Sequence, residues 1–429
     1  MATGLFRSLR VYNYRVWAIG ALVSNVGTWM QRTAQDWLVL TQLTHHSATS
    51  VGVVMGLQFG PQLLMLPLSG YAADRFDRRK LLMATQAALG VLALGLGLLT
   101  VSGWVQLWHV YVFAFLSGCV SAVDAPARQT FVSDLVGDTD LANAVALNSS
   151  SFNLGRMVGP AVAGVVIAAT GSGWAFVING VSFFAVLGSL NLLRVADLHA
   201  GVRASRARGG LVEGFRYVRS RPDLRVILWM LFLLGTFGLN FPIYISTMSV
   251  KVFHGDAHQY GLLTSTMAVG TLVGALLAAG RDRPRFGFLL VGAAVFGGGF
   301  AFAVGAPNVW WFGAALVAIG VSALTFSNST NSLMQLTTEP VMRGRVMALR
   351  LAIAVGTTPF GAPLVGWIAD TAGPRWALCV GAASGFGAAG MGLHYLVKYR
   401  HLRVRAVAGR LRIDLDRADA QVGASPSKA

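Results

Sequence analysis

The amino-acid sequence predicts an all-α membrane protein of twelve transmembrane helices, arranged as two six-helix halves related by pseudo-symmetry around a central cavity. Three observations carry that expectation. Hydrophobic residues fill 55% of 429 positions and charged residues only 12%, against roughly 25% charged in a soluble domain. Apolar stretches recur along the whole chain, each of about 20 residues and so long enough to cross a hydrocarbon core of about 30 Å. Basic residues fall almost wholly between those stretches. So little charged surface cannot solvate a water-soluble globule of this length, and the bilayer takes the place of water as solvent.

Taken in order, the first span is placed at 15–38, after Arg7, Arg10 and Arg15, and polar residues interrupt it. No small-residue cleavage site follows a short apolar core there, so this helix is expected to stay as an uncleaved anchor. Spans at 48–73, 81–102, 104–127, 141–169 and 173–193 complete a first half over 1–193. A basic connector, 194–223, leads into a second half over 224–397, with spans at 224–249, 258–280, 286–305, 308–334, 345–369 and 374–397. A basic tail, 398–429, has no apolar period long enough for another span. Its Arg400, Arg403, Arg405, Arg410 and Arg412 are expected against anionic lipid headgroups, and the stretch from Asp414 reads as disordered.

A net charge of +17 raises nucleic acid as a partner, and the placement of the charge decides against it. With loops assigned alternately to two sides, 30 of the 34 basic residues fall on one side, Lys251 and Arg375 on the other, and Arg32 and Arg156 within helices. That asymmetry is the positive-inside pattern and puts both termini in the cytoplasm. The expected location is the inner membrane and the expected partners are lipid and a small-molecule substrate, with a functional monomer. Cys119 and Cys379 lie within apolar helices at no metal or disulfide spacing; no metal site is expected.

An internal repeat appears at an offset of 202 residues. Ala144-Val145-Ala146-Leu147 lies over Val346-Met347-Ala348-Leu349, and Gly164 over Gly366. Parallel halves of this kind leave a substrate site between them near the membrane midplane.

Three segments carry chemistry. Between the second and third spans, Gly70-Tyr-Ala-Ala-Asp74-Arg75-Phe-Asp77-Arg78-Arg79-Lys80 combines a glycine, an acid and clustered bases; a basic loop serving topology alone is the plainer reading. In the fifth span, Gly155-Arg156-Met-Val-Gly159-Pro160-Ala-Val-Ala-Gly164 places proline where a helix loses a hydrogen bond and kinks, and a packing kink alone accounts for it as well. Ionisable groups inside the bilayer are costly and therefore functional candidates: Arg32, Asp36, Asp124 and Arg156. Arg32 and Asp36 stand one helical turn apart and can pair, and Arg156 can reach Asp36 across the bundle. A carboxylate that loses such a partner to substrate or motion takes up a proton more readily, which outlines a proton switch; a static ion pair is the alternative. Asp124 can meet Arg128, Arg78 or Arg79, in a cytoplasmic gate contact.

Polar residues on apolar helices mark a cavity wall: Asn25, Gln31, Gln35, Gln58, Gln62, Asn240, Tyr244, Asn328, Asn331 and Gln335. Interhelical glue is the commoner role for any one of them. With Trp29, Trp37 and Phe241 nearby, the wall suits amphipathic organic molecules.

The segment from Gly70 to Lys80 resembles the cytoplasmic signature of the major facilitator superfamily, with Asp77 where a glycine is usual. The resemblance implies that Gly70 lets its helix approach the other half closely and that Asp74 meets the positive N-terminal end of the eleventh helix, as a latch with Arg75, Arg78 and Arg79. The fifth span resembles the antiporter signature, with Ala163 for one glycine. It implies that Gly155, Gly159, Pro160 and Gly164 pack on the eighth helix and seal the periplasmic side. Asp124-Ala-Pro126-Ala-Arg128-Gln129 and Trp29-Met-Gln31-Arg32-Thr-Ala-Gln35-Asp36-Trp37 look like the exporter branch that includes enterobactin exporters and macrolide efflux proteins. The resemblance implies secondary active efflux of a drug, antibiotic or siderophore, with a proton gradient in place of a cofactor. An uptake carrier for a small metabolite is the alternative. Neither a nucleophile constellation nor an ATP-binding loop is seen at a membrane edge, which speaks against an enzyme.

Overall fold

The computed structural model describes residues 4, 6–65, 75–199, 211–279, 286–400, 403–407 and 410–414. In chain order the helices are α1 (Tyr12–Trp37), α2 (Ala48–Leu64), α3 (Arg78–Val101), α4 (Leu107–Leu135), α5 (Asp138–Thr170) and α6 (Ser172–Asn191). They continue as α7 (Leu211–Ser220), α8 (Pro222–Leu233), α9 (Phe241–Thr247), α10 (Ala257–Ala279), α11 (Phe286–Val304), α12 (Val309–Thr337), α13 (Pro340–Gly356), α14 (Thr358–Thr371) and α15 (Pro374–Arg400). The strands β1 (Arg403–Val407) and β2 (Arg410–Asp414) follow as an antiparallel pair. The chain is helical, as expected, up to this short hairpin in the basic tail; of the stretch from Asp414 expected to be disordered, all but Asp414 lies outside the described residues, as do the tail's arginine side chains.

Among the described residues, ten helical stretches are long and apolar enough to cross a membrane. They are α3 to α6, the run Pro222–Val252, α10, α11, α12, the run Pro340–Thr371 and α15. α1 is long enough, but Asn13, Asn25, Gln31, Arg32, Gln35 and Asp36 lower its apolarity. α2 is described for 17 residues, and the rest of its expected span lies in 66–74.

Two expected spans are broken. The seventh divides at Leu239–Asn240, after a π-helical turn at Leu234–Gly238. Pro242, in the first turn of α9, has no N–H to continue the earlier ladder. The eleventh divides at Thr357, just before Pro359 in the first turn of α14, because the residues ahead of a proline are steered away from helical geometry. Apolar length reports the crossing but not these interruptions.

Helices α1 to α6 pack as one bundle and α8 to α15 as a second. The bundles meet along α2 against α14 and α5 against α10. Small residues let these backbones approach: a Cβ at Gly261 would meet the Pro160 carbonyl, one at Gly366 the Ala48 carbonyl, and one at Gly52 the Ala362 carbonyl. All three contacts lie toward the end of the molecule that carries the α1–α2 and α3–α4 connections, the distal end. The N-terminal turn Arg7–Arg10 docks at the opposite, proximal end, where Ser8 Oγ donates to Asn143 Oδ1 at 2.8 Å.

The interiors of the two bundles differ. The second is filled by aromatic rings, with Tyr244 against Phe300 and Phe296 against Phe300, both at 5.0 Å between centroids. The first is hollow.

Candidate functional site

A cavity of about 830 Å³ occupies the first bundle and is walled wholly by α1 to α6. Asn25, Gln31, Gln58 and Gln62, expected on the wall of a cavity between the halves, line this one inside the first bundle, together with Arg32, Asp124 and Arg128. Asn148, Ser149, Asn153 and Asn179 line it as well and were missed; Asn148, Ser149 and Asn153 share the proximal half of α5 at near-helical spacing, which was the available signal. Three wall residues, Asn25, Gln31 and Asn179, also tie helices. Asn179 Nδ2 donates to Gln31 Oε1 at 2.5 Å, and Asn25 Nδ2 donates to Ser151 Oγ at 3.1 Å.

A second cavity, of about 200 Å³, lies between the bundles. The first bundle contributes Trp29, Arg32, Gln35, Asp36, Gln58, Phe59 and Arg156; the second contributes Leu239, Phe241, Pro242, Tyr260, Thr264 and Met267. Arg32, Gln58 and Phe59 belong to both cavities and form their common wall. The remaining residues expected on the wall lie elsewhere. Asn240 is fully buried and gives its amide to the Thr236 carbonyl at 2.7 Å, holding the interrupted turn before α9. Tyr244 donates its hydroxyl to the Phe237 carbonyl inside the aromatic core. The break before α9 turns both inward, so they serve packing. Asn328 and Asn331 are half-buried and Gln335 is exposed, and neither cavity includes them.

Asp36 is 8% exposed, and Tyr260 Oη donates to its Oδ2 at 3.2 Å across the bundle boundary. Tyr260 also stacks on Trp37, with centroids 6.2 Å apart and planes at 21°. This tyrosine was not anticipated; as one tyrosine in an apolar span, it carries no signal until α5 and α10 are brought together. The expected pairing of Arg32 and Arg156 with Asp36 is not formed. Instead both guanidinium carbons sit over the Trp29 ring, at 4.9 and 5.6 Å from its centroid. Arg32 and Trp29 are three residues apart on one helical face, and a ring surface attracts a cation without requiring a carboxylate.

Toward the proximal end, Asp124 is satisfied inside the first bundle. Its Oδ1 accepts from Thr85 Oγ1 and Gln86 Nε2, both at 2.7 Å, and its Oδ2 accepts from Arg128 Nη2 at 3.1 Å. Arg78 and Arg79 are engaged elsewhere, on Asp134 Oδ1 at 2.6 Å and the Leu190 carbonyl at 2.8 Å, so neither meets Asp124. These bonds join α3 to α4 and α6. Asp77, in the usual glycine's place, caps α3 by accepting from the Lys80 N–H at 2.8 Å. Gly70 and Asp74 lie outside the described residues, and Arg75 is exposed.

On α5 the glycines divide between two neighbours. Cβ atoms at Gly155 and Gly159 would meet Asn25 and Trp29 of α1, whereas one at Gly164 would meet Ala257 and His258 of α10. Of these three glycines, Gly164 alone faces the second bundle, next to the Pro160 carbonyl that meets Gly261.

At the distal end Asp370, the penultimate residue of α14, reaches across to the start of α2. Its carboxylate accepts from the Ala48 and Thr49 N–H groups, each at 2.8 Å, from Thr49 Oγ1 at 2.7 Å, and pairs with Lys251 Nζ at 2.8 Å. A carboxylate on the first N–H groups of a helix satisfies orphan donors and complements the helix dipole. Losing such a cap costs about 0.5–2 kcal/mol. Asp370→Ala is therefore expected to shift the population toward a distally open form by roughly 2- to 30-fold, with Asp370→Asn intermediate; distances between spin labels at Ser102 and Gly305, on opposite bundles at this end, report it. Among the described residues, no group of His, Cys, Asp and Glu could hold a metal ion.

The chain matches, over residues 3–421, the model of a major facilitator family described as transmembrane secretion effector. The staphyloferrin A transporter of Staphylococcus aureus is 27% identical over 256 residues, covering 59% of this chain and 63% of that protein. The enterobactin exporter of Shigella flexneri is 25% identical over 85% of this chain and 87% of its own. The multidrug efflux pump Tap of Mycolicibacterium fortuitum is 27% identical over 82% and 88%. Among solved structures, a bacterial homologue of the human lysosomal transporter Spinster, inward-facing and occupied, aligns with a TM-score of 0.70 at 14% identity, covering 92% of this chain and 97% of that one. At that identity the likeness speaks for the fold.

Proposed function

Since the chain belongs to the transmembrane secretion effector family of the major facilitator superfamily, a family of membrane transporters, we propose that it is a proton-coupled exporter of amphipathic small molecules that works by alternating access. In this reading α1 and α2 join the ten apolar stretches to make twelve spans in two related halves, 1–193 and 224–397, linked by 194–223. Both termini and the basic tail, 398–429, face the cytoplasm of a monomer in the inner membrane. The distal end is then periplasmic, and the structure is its inward-facing form: the bundles are closed by Pro160–Gly164 on α10 and by Asp370 on α2, while the larger cavity reaches Asp124 and Arg128 at the other end.

The observation that carries the coupling is the bond from Tyr260 to Asp36. It is the point where a buried carboxylate of one bundle depends on the other, so separating the bundles at the distal end removes the donor from Asp36. Proton uptake or release at Asp36 is thereby tied to which side is open. Arg32, one helical turn from Asp36 on α1, contributes to the field that this carboxylate feels. The gate at the proximal end would involve Gly70, Asp74 and Arg75, with Arg78, Arg79, Asp124 and Arg128 holding the first bundle rigid behind it.

Inverted and right-side-out vesicles, given a panel of labelled siderophores and drugs with and without an imposed pH gradient, test this reading. Export predicts accumulation in inverted vesicles with an acidic lumen. Accumulation only in right-side-out vesicles would make the chain an uptake carrier. Tyr260→Phe removes the donor but keeps the ring on Trp37. Loss of a hydrogen bond to a charged group, about 1.5–3 kcal/mol, is expected to reduce gradient-driven transport by roughly tenfold or more while leaving downhill movement of the same substrate; equal loss of both would count against a coupling role.

A further inference from the structure

The cavity between the bundles holds two cations and one carboxylate, and the carboxylate is engaged by a tyrosine. Arg32 comes from α1 and Arg156 from α5, and they converge on one indole, that of Trp29. Arg32 also lies 5.8 Å from the centroid of Phe59. Among the described residues neither guanidinium forms a hydrogen bond or an ion pair, and Arg32 Nε is buried without a partner. Each guanidinium carries five donors in a planar fork, and aromatic faces satisfy none of them. Two like charges held near one ring in a partly dry site repel each other; a packing role alone would be met by methionine or leucine. The arrangement fits a bidentate anion, which would sit between the forks and neutralise both.

The apolar part of the same cavity says what carries the anion. Trp29, Phe59 and Phe241 provide flat faces on both sides of the bundle boundary, and Trp29 continues edge-on to Phe152, 5.6 Å away, in the larger cavity. A space of about 200 Å³ holds one aromatic acid. A bulkier molecule can extend through the shared wall of Arg32, Gln58 and Phe59 into the cavity of about 830 Å³.

We propose that this cavity recognises the carboxylate of an aromatic acid, gripped between Arg32 and Arg156 with its ring against Trp29 and Phe59. The inference rests on the transporter reading and names the substrate class for that site.

The test uses the full chain in lipid nanodiscs, with tritiated 1-naphthoate as probe and 1-naphthamide and 1-naphthylmethylammonium as competitors of the same shape. The carboxylate is expected to bind roughly tenfold tighter than the amide or more, and the ammonium weakest. Arg32→Gln and Arg156→Gln are each expected to bring the carboxylate and amide within about threefold of each other, and Arg156→Lys to restore part of the difference. Thermal unfolding of each variant separates lost recognition from lost folding, and the lysine variant stays informative if a glutamine variant fails to fold. Equal binding of acid and amide, preference for the ammonium, no measurable binding of naphthoate, or a preference that survives both glutamine variants would overturn the proposal. Gradient-driven export of cationic drugs without naphthoate preference would sink this inference and leave the exporter standing. Naphthoate preference without gradient-driven movement of any substrate would do the reverse.

Discussion

Asp36→Asn is expected to abolish concentrative transport while leaving the protein inserted and able to bind. Asparagine keeps the size of the side chain and still accepts from Tyr260 Oη, now 3.2 Å from the carboxylate, so the bundle contact survives. What it loses is the ability to carry a proton. One proton exchanged per substrate lets a gradient of about two pH units sustain a concentration ratio of roughly 100; without a titrating group the ratio should fall to about 1. Steady-state accumulation in lumen-acid inverted vesicles measures it directly. Accumulation that persists near the wild-type ratio would take Asp36 out of the coupling role. The same vesicles, run with substrate moving down its own gradient, should show movement in the variant, because the path past Asp36 is unchanged.

Gly261→Val is expected to have the largest conformational effect. A Cβ at this position would run into the Pro160 carbonyl and also approach Gly164 at 3.2 Å, all of it backbone. Backbone cannot rotate away as a side chain does, so α5 and α10 must part. Overpacking of this kind costs about 1–3 kcal/mol, a factor of roughly 5–150 in the balance between distally closed and open forms. Spin labels at Ser102 and Gly305 should show the longer-distance population grow accordingly, and transport should fall with it. An unchanged distance distribution would show that the α5–α10 seam does not hold the distal end shut. Gly155→Ala, which would press on Asn25 of α1 instead, should disturb the first bundle without opening the seam.

The crossings themselves were legible because apolar length is a property of the local sequence; the ten apolar stretches fall where expected, within about five residues at each end except that α4 runs to Leu135 rather than 127. The breaks at Asn240 and Thr357 were less so. Proline and glycine mark them, yet the same residues occur inside unbroken helices, as Pro126 does in α4. For the site, Arg32, Asp36 and Arg156 were found by the cost of charge in a bilayer, an argument that needs no partner. Their pairing was not, because spacing along α1 says which groups can meet and not which will. Trp29 stands on the same face as Arg32 and took the cation that was assigned to Asp36. Tyr260 is beyond any local pattern, since its role exists only once α10 lies on α5. Asp370 was passed over because the end of a span is an ordinary place for an acid; its meaning comes from the start of α2, over 300 residues earlier.

The uneven interiors of the two bundles bear on how such a chain can change its cargo over evolutionary time. A side chain on the hollow wall of α1, α2, α4 or α5 has free volume before it, so a larger, smaller or differently hydrogen-bonding replacement alters the lining without disturbing a packed neighbour. Replacing Phe296 or Phe300 removes one tile from an aromatic stack, and large-to-small changes of that kind cost about 3–5 kcal/mol. Adaptation to a new molecule should therefore accumulate in the N-terminal bundle, with the C-terminal bundle kept as an almost constant moving part. Error-prone libraries selected for resistance to different compounds would then collect their gains on one side of the molecule, and a bundle exchanged between two such carriers would bring its preference with it only when it is the first.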